Sequence, residues 1–104
     1  MDSQLKKGLL DACVLADLLK QDNYGYMLLQ NIGSTVAISE STLYPILRRL
    51  EKAGALRTYS QEKDGRLRKY YSITPEGKRK LDYFIKEWAQ VAKVYDFIIR
   101  RLKP

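Results

Sequence analysis

Residues 39–73 read SESTLYPILRRLEKAGALRTYSQEKDGRLRKYYSI, and the fold follows from how this stretch is parsed. Leu43, Ile46, Leu47 and Leu50 recur three and four residues apart, the spacing of one helix face. Ser39 stands where an N-cap is expected, and the helix closes at Ala53-Gly54 with Lys52 in its last turn. Pro45 conflicts with a helix interior, because it lacks an N–H and crowds the carbonyl four residues back. The conflict eases if the regular helix begins near Thr42 to Tyr44, leaving Ser39 to Thr42 as a tight opening turn. Leu56 to Ser60 and Leu67 to Ile73, rich in Tyr, Thr and Ile, then read as two strands, with Glu62 to Arg66 as a hairpin loop turning at Asp64-Gly65. This makes a two-stranded ribbon. Tyr70 and Tyr71 point to opposite faces of their strand, so one of them is expected in the core.

The same region carries the charge. Residues 41–80 hold eleven Lys or Arg and four Asp or Glu, which gives +7, while residues 1–40 sum to −2 and residues 81–104 to +2. A basic field gathered on one substructure is the electrostatic footprint of a polyanion, and nucleic acid is the commonest such partner for a small domain.

Composition narrows the rest. At 104 residues the chain fits one domain, and 30% charged with 45% hydrophobic residues is too apolar for a disordered basic tail. A single cysteine, Cys13, excludes an internal disulfide. No signal-peptide pattern is present, and no apolar run nears the roughly 18 residues of a membrane span, so the expected compartment is the cytoplasm. Histidine is absent, which removes the usual base at neutral pH and the usual zinc ligand. No Gly-rich phosphate loop, Gly-x-Ser-x-Gly turn or Cys/His pair can be assembled, so neither metal, cofactor nor enzymatic chemistry is expected beyond lone carboxylates such as Asp17 or Glu87.

Upstream, residues 5–19 are apolar over more than half the helical circumference and read as a helix buried on two sides. Gln21-Asp22-Asn23 stops it. A second helix opens at Tyr24-Gly25 and runs through Met27, Leu28, Leu29 and Ile32 to Gly33-Ser34. Downstream, Thr74 caps and Pro75 opens a last helix that reaches about Leu102. Its apolar residues fall at 81, 84, 85, 88, 91, 92, 95, 98, 99 and 102, an unbroken seven-residue recurrence. Such a helix is roughly 40 Å long at 1.5 Å per residue, more than the preceding domain can cover. A second copy of the chain is the simplest cover, meeting a seam of Leu81, Ile85, Trp88, Val91, Ala92, Tyr95, Ile98, Ile99 and Leu102.

The expected fold is therefore mainly α with a small β-hairpin: a winged helix-turn-helix DNA-binding domain over residues 1–74 and a long C-terminal dimerisation helix over residues 75–104. In that plan the third helix enters the major groove and the wing reaches flanking phosphate or the minor groove. Ser39, Ser41, Thr42, Tyr44, Pro45, Arg48, Arg49 and Lys52 are the candidate contacts on the helix, with either arginine bonding a guanine edge or a phosphate. Lys63 and Arg66 at the hairpin tip are assigned to phosphate. Arg68 is a further candidate, although it and Lys69 can equally point to solvent. The bland readings are a solvated helix face and edge-strand charges that prevent aggregation.

Ser-Thr-Leu-Tyr-Pro-Ile-Leu-Arg-Arg-Leu-Glu-Lys-Ala-Gly at 41–54, Gly-Arg-Leu-Arg-Lys-Tyr-Tyr-Ser-Ile-Thr at 65–74 and Tyr-Gly-Tyr at 24–26 resemble the PadR family of bacterial and archaeal transcription regulators. The resemblance spans nearly the whole chain. It implies a homodimeric winged-helix repressor on a pseudo-palindromic double-stranded DNA operator, often near its own gene, released by a small molecule or a stress signal. It also implies that the last helix pairs with helix 1 and with the same helices of the partner, as in the short subfamily. In that subfamily's multidrug-binding members a Trp on the last helix and its dimer mate sandwich a planar aromatic ligand, and Trp88 occupies the matching place. Those members carry a carboxylate one turn later, where this chain has Ala92, so a preference for cations does not carry over. Cys13 is a candidate lining of the same central space; otherwise it is a small buried hydrophobe or a redox sensor. Competing functions are a winged-helix protein-interaction module docking an acidic surface, a ligand-blind architectural DNA binder, and, last, a small-molecule transferase or hydrolase.

Overall fold

The computed structural model describes residues 3–103, which fold in the order α1 (Ser3–Lys20), β1 (Asn23–Tyr24), α2 (Gly25–Gly33), α3 (Glu40–Lys52), β2 (Leu56–Lys63), β3 (Arg66–Ile73) and α4 (Pro75–Leu102). The leucine-rich α1 is the hub. It packs against α2, α3, β3 and α4, which is why Leu10, Val14, Leu15 and Leu18 are almost wholly buried. Leu28 and Ile32 of α2 and the four apolar residues of α3 close the same core, each fully buried leucine being worth about 1.5–3 kcal/mol.

The apolar spacing of α3 translates directly into burial: Leu43, Ile46, Leu47 and Leu50 all face inward. Its start differs from the expected one. The helix is regular from Glu40, with Pro45 inside it rather than near its beginning. Pro45 and Ser41 both lie on the exposed face, so the carbonyl deprived of its partner by the missing N–H belongs to a residue that water can reach. Ser39 holds the N-cap position in extended conformation, and its carbonyl accepts from the Thr42 and Leu43 amides at 3.1 and 2.9 Å. Its hydroxyl does not cap the backbone but meets the Ser41 and Thr42 hydroxyls at 2.9 and 3.2 Å.

At the other end Gly54 takes φ +81°, which lets the Gly54 and Ala55 amides bond back to the Glu51 and Leu50 carbonyls, a Schellman closure. Thr74 then ties α4 to this corner: its hydroxyl donates to the Gly54 carbonyl at 2.6 Å and accepts from the Gly77 amide at 3.1 Å. Gly77 fits there because any Cβ would collide with the Ala55 carbonyl oxygen. The direction in which α4 leaves the body is thus set against the end of α3.

The hairpin is tighter and the sheet wider than the sequence suggests. The strands run on to Lys63 and Arg66, and the loop shrinks to Asp64-Gly65 with φ of 54° and 76°, the left-handed pair whose twist matches flanking antiparallel strands. A third strand, β1, joins the far edge of β3 and pairs Asn23 with Tyr71 and Tyr24 with Tyr70, giving the order β1-β3-β2. This strand, together with Tyr59, explains why both Tyr70 and Tyr71 are buried instead of one. Tyr70 stacks on Tyr59 at 5.6 Å and meets Tyr24 edge-on at 5.4 Å on one face, while Tyr71 joins the helical core on the other.

The first turns of α4 belong to the body. Gly77 and Leu81 are buried and Phe84 packs against the core, so Leu81, expected on an intermolecular seam, is spent within its own chain. Beyond Phe84 the helix projects as an arm, and the molecule measures 61 × 26 × 21 Å. No helix among the described residues is long and apolar enough to cross a membrane.

Candidate nucleic-acid interface

With its apolar side turned inward, α3 presents a ridge of Ser41, Tyr44, Pro45, Arg48 and Lys52 to solvent. The serine and threonine hydroxyls cluster at the start of the ridge and the cations follow it. Among the described residues neither Arg48 nor Lys52 makes an ion pair, and the same holds for Lys63 and Arg66 at the hairpin tip. Four cations facing water without carboxylate partners leave a field that only an external anion can neutralise.

Arg49 is different. Its Nη1 and Nη2 donate to the two carboxylate oxygens of Asp11 on α1 at 3.0 and 2.7 Å, and that bidentate bond holds the guanidinium more firmly charged than usual. With 39% of its side chain exposed and Asp11 only 17% exposed, the pair locks α3 to α1 instead of leaving Arg49 free beside Arg48. Arg68 is also engaged. Its guanidinium lies 4.6 Å from the Tyr24 ring centre in a cation–π contact, and its Nε is buried without a hydrogen-bond partner. Lys69 reaches Glu51 at 3.7 Å and covers the Tyr71 ring, while Thr58 donates to the same Glu51 at 3.0 Å.

Arg68 and Lys69 line a cleft between the wing and α3 whose other walls include Tyr26, Tyr44 and Leu67. Tyr44 lies so close to the start of α2 that a Cβ on Gly25 would fall 2.5 Å from its hydroxyl oxygen. Gly25, Tyr26 and Leu67, the last 77% exposed beside the hairpin tip, line this cleft, and Asp11 anchors Arg49 behind the ridge; none of the four is among the contacts expected from the sequence. The Tyr-Gly-Tyr motif is the available signal for the first two. Asp11 gives none, being 38 residues from its partner.

On the arm, Ile85, Trp88, Val91, Ala92, Tyr95, Ile98 and Leu102 are exposed and Ile99 is half-buried; Tyr83, Val94 and Phe97 add apolar surface outside the expected seam. Trp88 stacks on Phe84 at 5.7 Å with planes 9° apart and keeps 36% of its surface open. Cys13, on α1, lines a depression with Asp17, Lys20 and α2 residues Asn31 and Ile32. Burial pushes its thiol pKa up, away from the thiolate that redox chemistry needs.

Three helices, a short sheet with a projecting hairpin and an unpaired basic ridge on the third helix define a winged helix-turn-helix protein, here extended by a long C-terminal helix. Residues 14–83 match the Transcriptional regulator PadR-like family, and the chain belongs to that family of DNA-binding regulators. The crystal structure of smu.1704 from Streptococcus mutans is similar at TM-score 0.85 and 47% identity, over 90% of this chain and 89% of that one. A PadR family transcription regulator from Clostridium difficile is similar at TM-score 0.81 and 30% identity, over 86% and 97% of the two chains. An uncharacterized protein of Lysinibacillus sphaericus is 38% identical over 97% of both.

Proposed function

We propose that this protein is a homodimeric, sequence-specific repressor whose two α3 helices dock in successive major grooves of a pseudo-palindromic operator, about 34 Å apart as one turn of DNA requires. The unpaired ridge of Arg48 and Lys52, flanked by Lys63 and Arg66, is the observation that carries this reading. Arg48 supplies the base-edge or phosphate contact, Lys52, Lys63 and Arg66 bind phosphate, and Ser39, Ser41, Thr42, Tyr44 and Pro45 set the register. Arg49 acts indirectly, by fixing α3 on α1, and Arg68 lines the cleft between helix and wing. Residues 1–74 are the reading head, with the first turns of α4 as part of its core, and the arm from Ile85 onward makes the dimer.

Repression is relieved by a planar aromatic molecule held between the two Trp88 side chains. Phe84 backs one face of each indole, which leaves the other for a ligand. Because Thr74 and Gly77 bind the start of α4 to the end of α3, a ligand that changes how the arms cross also changes the spacing of the recognition helices. Operator and ligand then weaken each other by the same factor, about 1–3 kcal/mol in typical cases.

Fluorescence anisotropy on duplex DNA from upstream of the protein's own gene, against a scrambled duplex at two salt concentrations, tests the reading. Binding at least about tenfold tighter to the native duplex, weakening steeply with salt, is expected. Equal binding to both points to an architectural role, and binding to neither moves the search to acidic proteins. Trp88 fluorescence titrated with planar aromatics tests the ligand separately: an unchanged signal retires the sandwich and leaves repression standing.

A further inference from the structure

A helix lying in the major groove has a phosphodiester strand along each of its flanks. On one flank of α3, Tyr44 faces the cleft formed with Arg68, Lys69 and the wing. On the other, Thr42, Pro45, Ile46 and Arg49 face Lys6, Lys7 and Leu10 of α1 across an open groove of about 390 Å³. Charge summed along the sequence hides this second flank, because residues 1–40 carry a net −2 and Lys6 and Lys7 lie outside the basic block. Folding brings them beside the recognition helix, and both lie outside the residues 14–83 that match the family.

We infer that Lys6 and Lys7 form a second phosphate-binding edge, gripping the DNA strand on the side of α3 opposite the wing. The local charge balance favours an anion. Asp11, the carboxylate of α1 bonded to the α3 flank, is already neutralised by both terminal nitrogens of Arg49. Neither Lys6 nor Lys7 makes an ion pair among the described residues, so none of the carboxylates described there neutralises these two cations. The groove floor of Leu10, Pro45 and Ile46 carries no charge of its own. Lys6 and Lys7 line the groove beside this apolar floor, and long cationic side chains cover such surface with their stems while keeping the charged head in water, within reach of a backbone phosphate at the Thr42 end of α3. A long flexible cation suits a phosphate wall, since it needs no fixed bidentate geometry.

This inference rests on the proposed DNA binding, and one experiment separates the two. Wild type, Lys6→Gln/Lys7→Gln and a distant control, Lys86→Gln/Lys93→Gln on α4, are compared by anisotropy across a salt series on native and scrambled duplexes. Circular dichroism confirms an unchanged fold. Replacing Lys6 and Lys7 is expected to weaken binding to both duplexes by the same factor, about threefold to thirtyfold at about 100 mM salt. The slope of log affinity against log salt should become shallower by about 0.9 for each phosphate that is no longer neutralised, with the control unchanged. Wild-type affinity and slope in the folded Lys6/Lys7 variant would overturn the second edge and leave the α3 interface intact. An equal weakening in the α4 control would also overturn it, as a mere net-charge effect. A wild-type chain with no salt-sensitive duplex binding would overturn both readings.

Discussion

In α3, Leu43, Ile46, Leu47 and Leu50 are 0–6% exposed, whereas in the arm of α4 Ile85, Val91, Tyr95, Ile98 and Leu102 remain 46–74% exposed, although both helices repeat apolar residues at threes and fours. The pattern states that a face is to be covered and not by what. For α3 the cover is α1, α2 and the sheet of the same chain. For the arm no element among the described residues supplies a cover, and the second copy proposed above is what would supply it. The polar faces invert the relation. On its exposed ridge α3 leaves Arg48 and Lys52 without an ion pair among the described residues, while α4 spends Lys86 on Asp82 at 3.0 Å and Arg79 on Glu76 at 2.6 Å. One helix exposes unpaired charge and the other exposes apolar surface.

The largest effect comes from breaking the covered face. Leu47→Ala removes a side chain with no exposed surface and should cost about 2–5 kcal/mol by urea denaturation. That is a large part of the roughly 5–15 kcal/mol typical of a whole domain. A destabilisation under about 1 kcal/mol would contradict the core assignment. The uncovered face should respond in the opposite way. Ile98→Asp puts a charge on a half-exposed arm position and should leave the helical circular dichroism in place while converting the proposed dimer to monomer in sedimentation at about 10 μM. A wild-type monomer at that concentration would remove the second copy as the cover.

Neighbouring arginines divide the polar face of α3 more finely. Arg48→Ala should weaken operator binding by about tenfold or more, equivalent to about 1–3 kcal/mol, with stability unchanged. Arg49→Ala should reverse the balance. The pair with Asp11 is too exposed on the arginine side to be worth more than about 1 kcal/mol in a double-mutant cycle, and its removal should register in denaturation before it registers in binding. Equal weakening of DNA affinity in the two variants would show that Arg49 leaves Asp11 to contact DNA.

The features carried by local spacing and chemistry are legible in the sequence. The inner face of α3, the Thr74-Pro75 start of α4, the Asp64-Gly65 turn and the cations of the ridge all follow from residue types at fixed offsets. Features that depend on a distant element are not. A two-residue strand such as β1 has no periodicity, so its pairing with β3 and the burial of both Tyr70 and Tyr71 leave no local sign. The place of Pro45 within α3 is hidden because the cost of a missing N–H depends on whether the orphaned carbonyl meets water, and exposure is a tertiary fact. Arg49 and Arg48 are adjacent and chemically identical, yet among the described residues only Arg49 is ion-paired, with an Asp11 that lies 38 residues away. The arm is legible as apolar, but the fold alone shows that Leu81 is consumed within the chain and that the free stripe begins at Ile85.

The smallest expected effect concerns the join between the reading ridge and α2. In Gly25→Ala the new Cβ would lie 2.5 Å from the Tyr44 hydroxyl oxygen and 2.8 Å from Cε1. Those atoms are the far end of a side chain that is 36% exposed, so the ring yields and the backbone does not. Stability should change by less than about 1 kcal/mol, because the strain is relieved at the surface and alanine lowers the entropy of the unfolded chain. The displaced ring changes the edge of the ridge, and operator affinity should fall by about twofold to fivefold. A double-mutant cycle identifies the cause. On a Tyr44→Ala background the alanine at 25 has nothing to push against and should cost no further affinity. If the two substitutions instead add, Gly25 is required for its own backbone's approach to DNA, and Tyr44 is not the residue it serves.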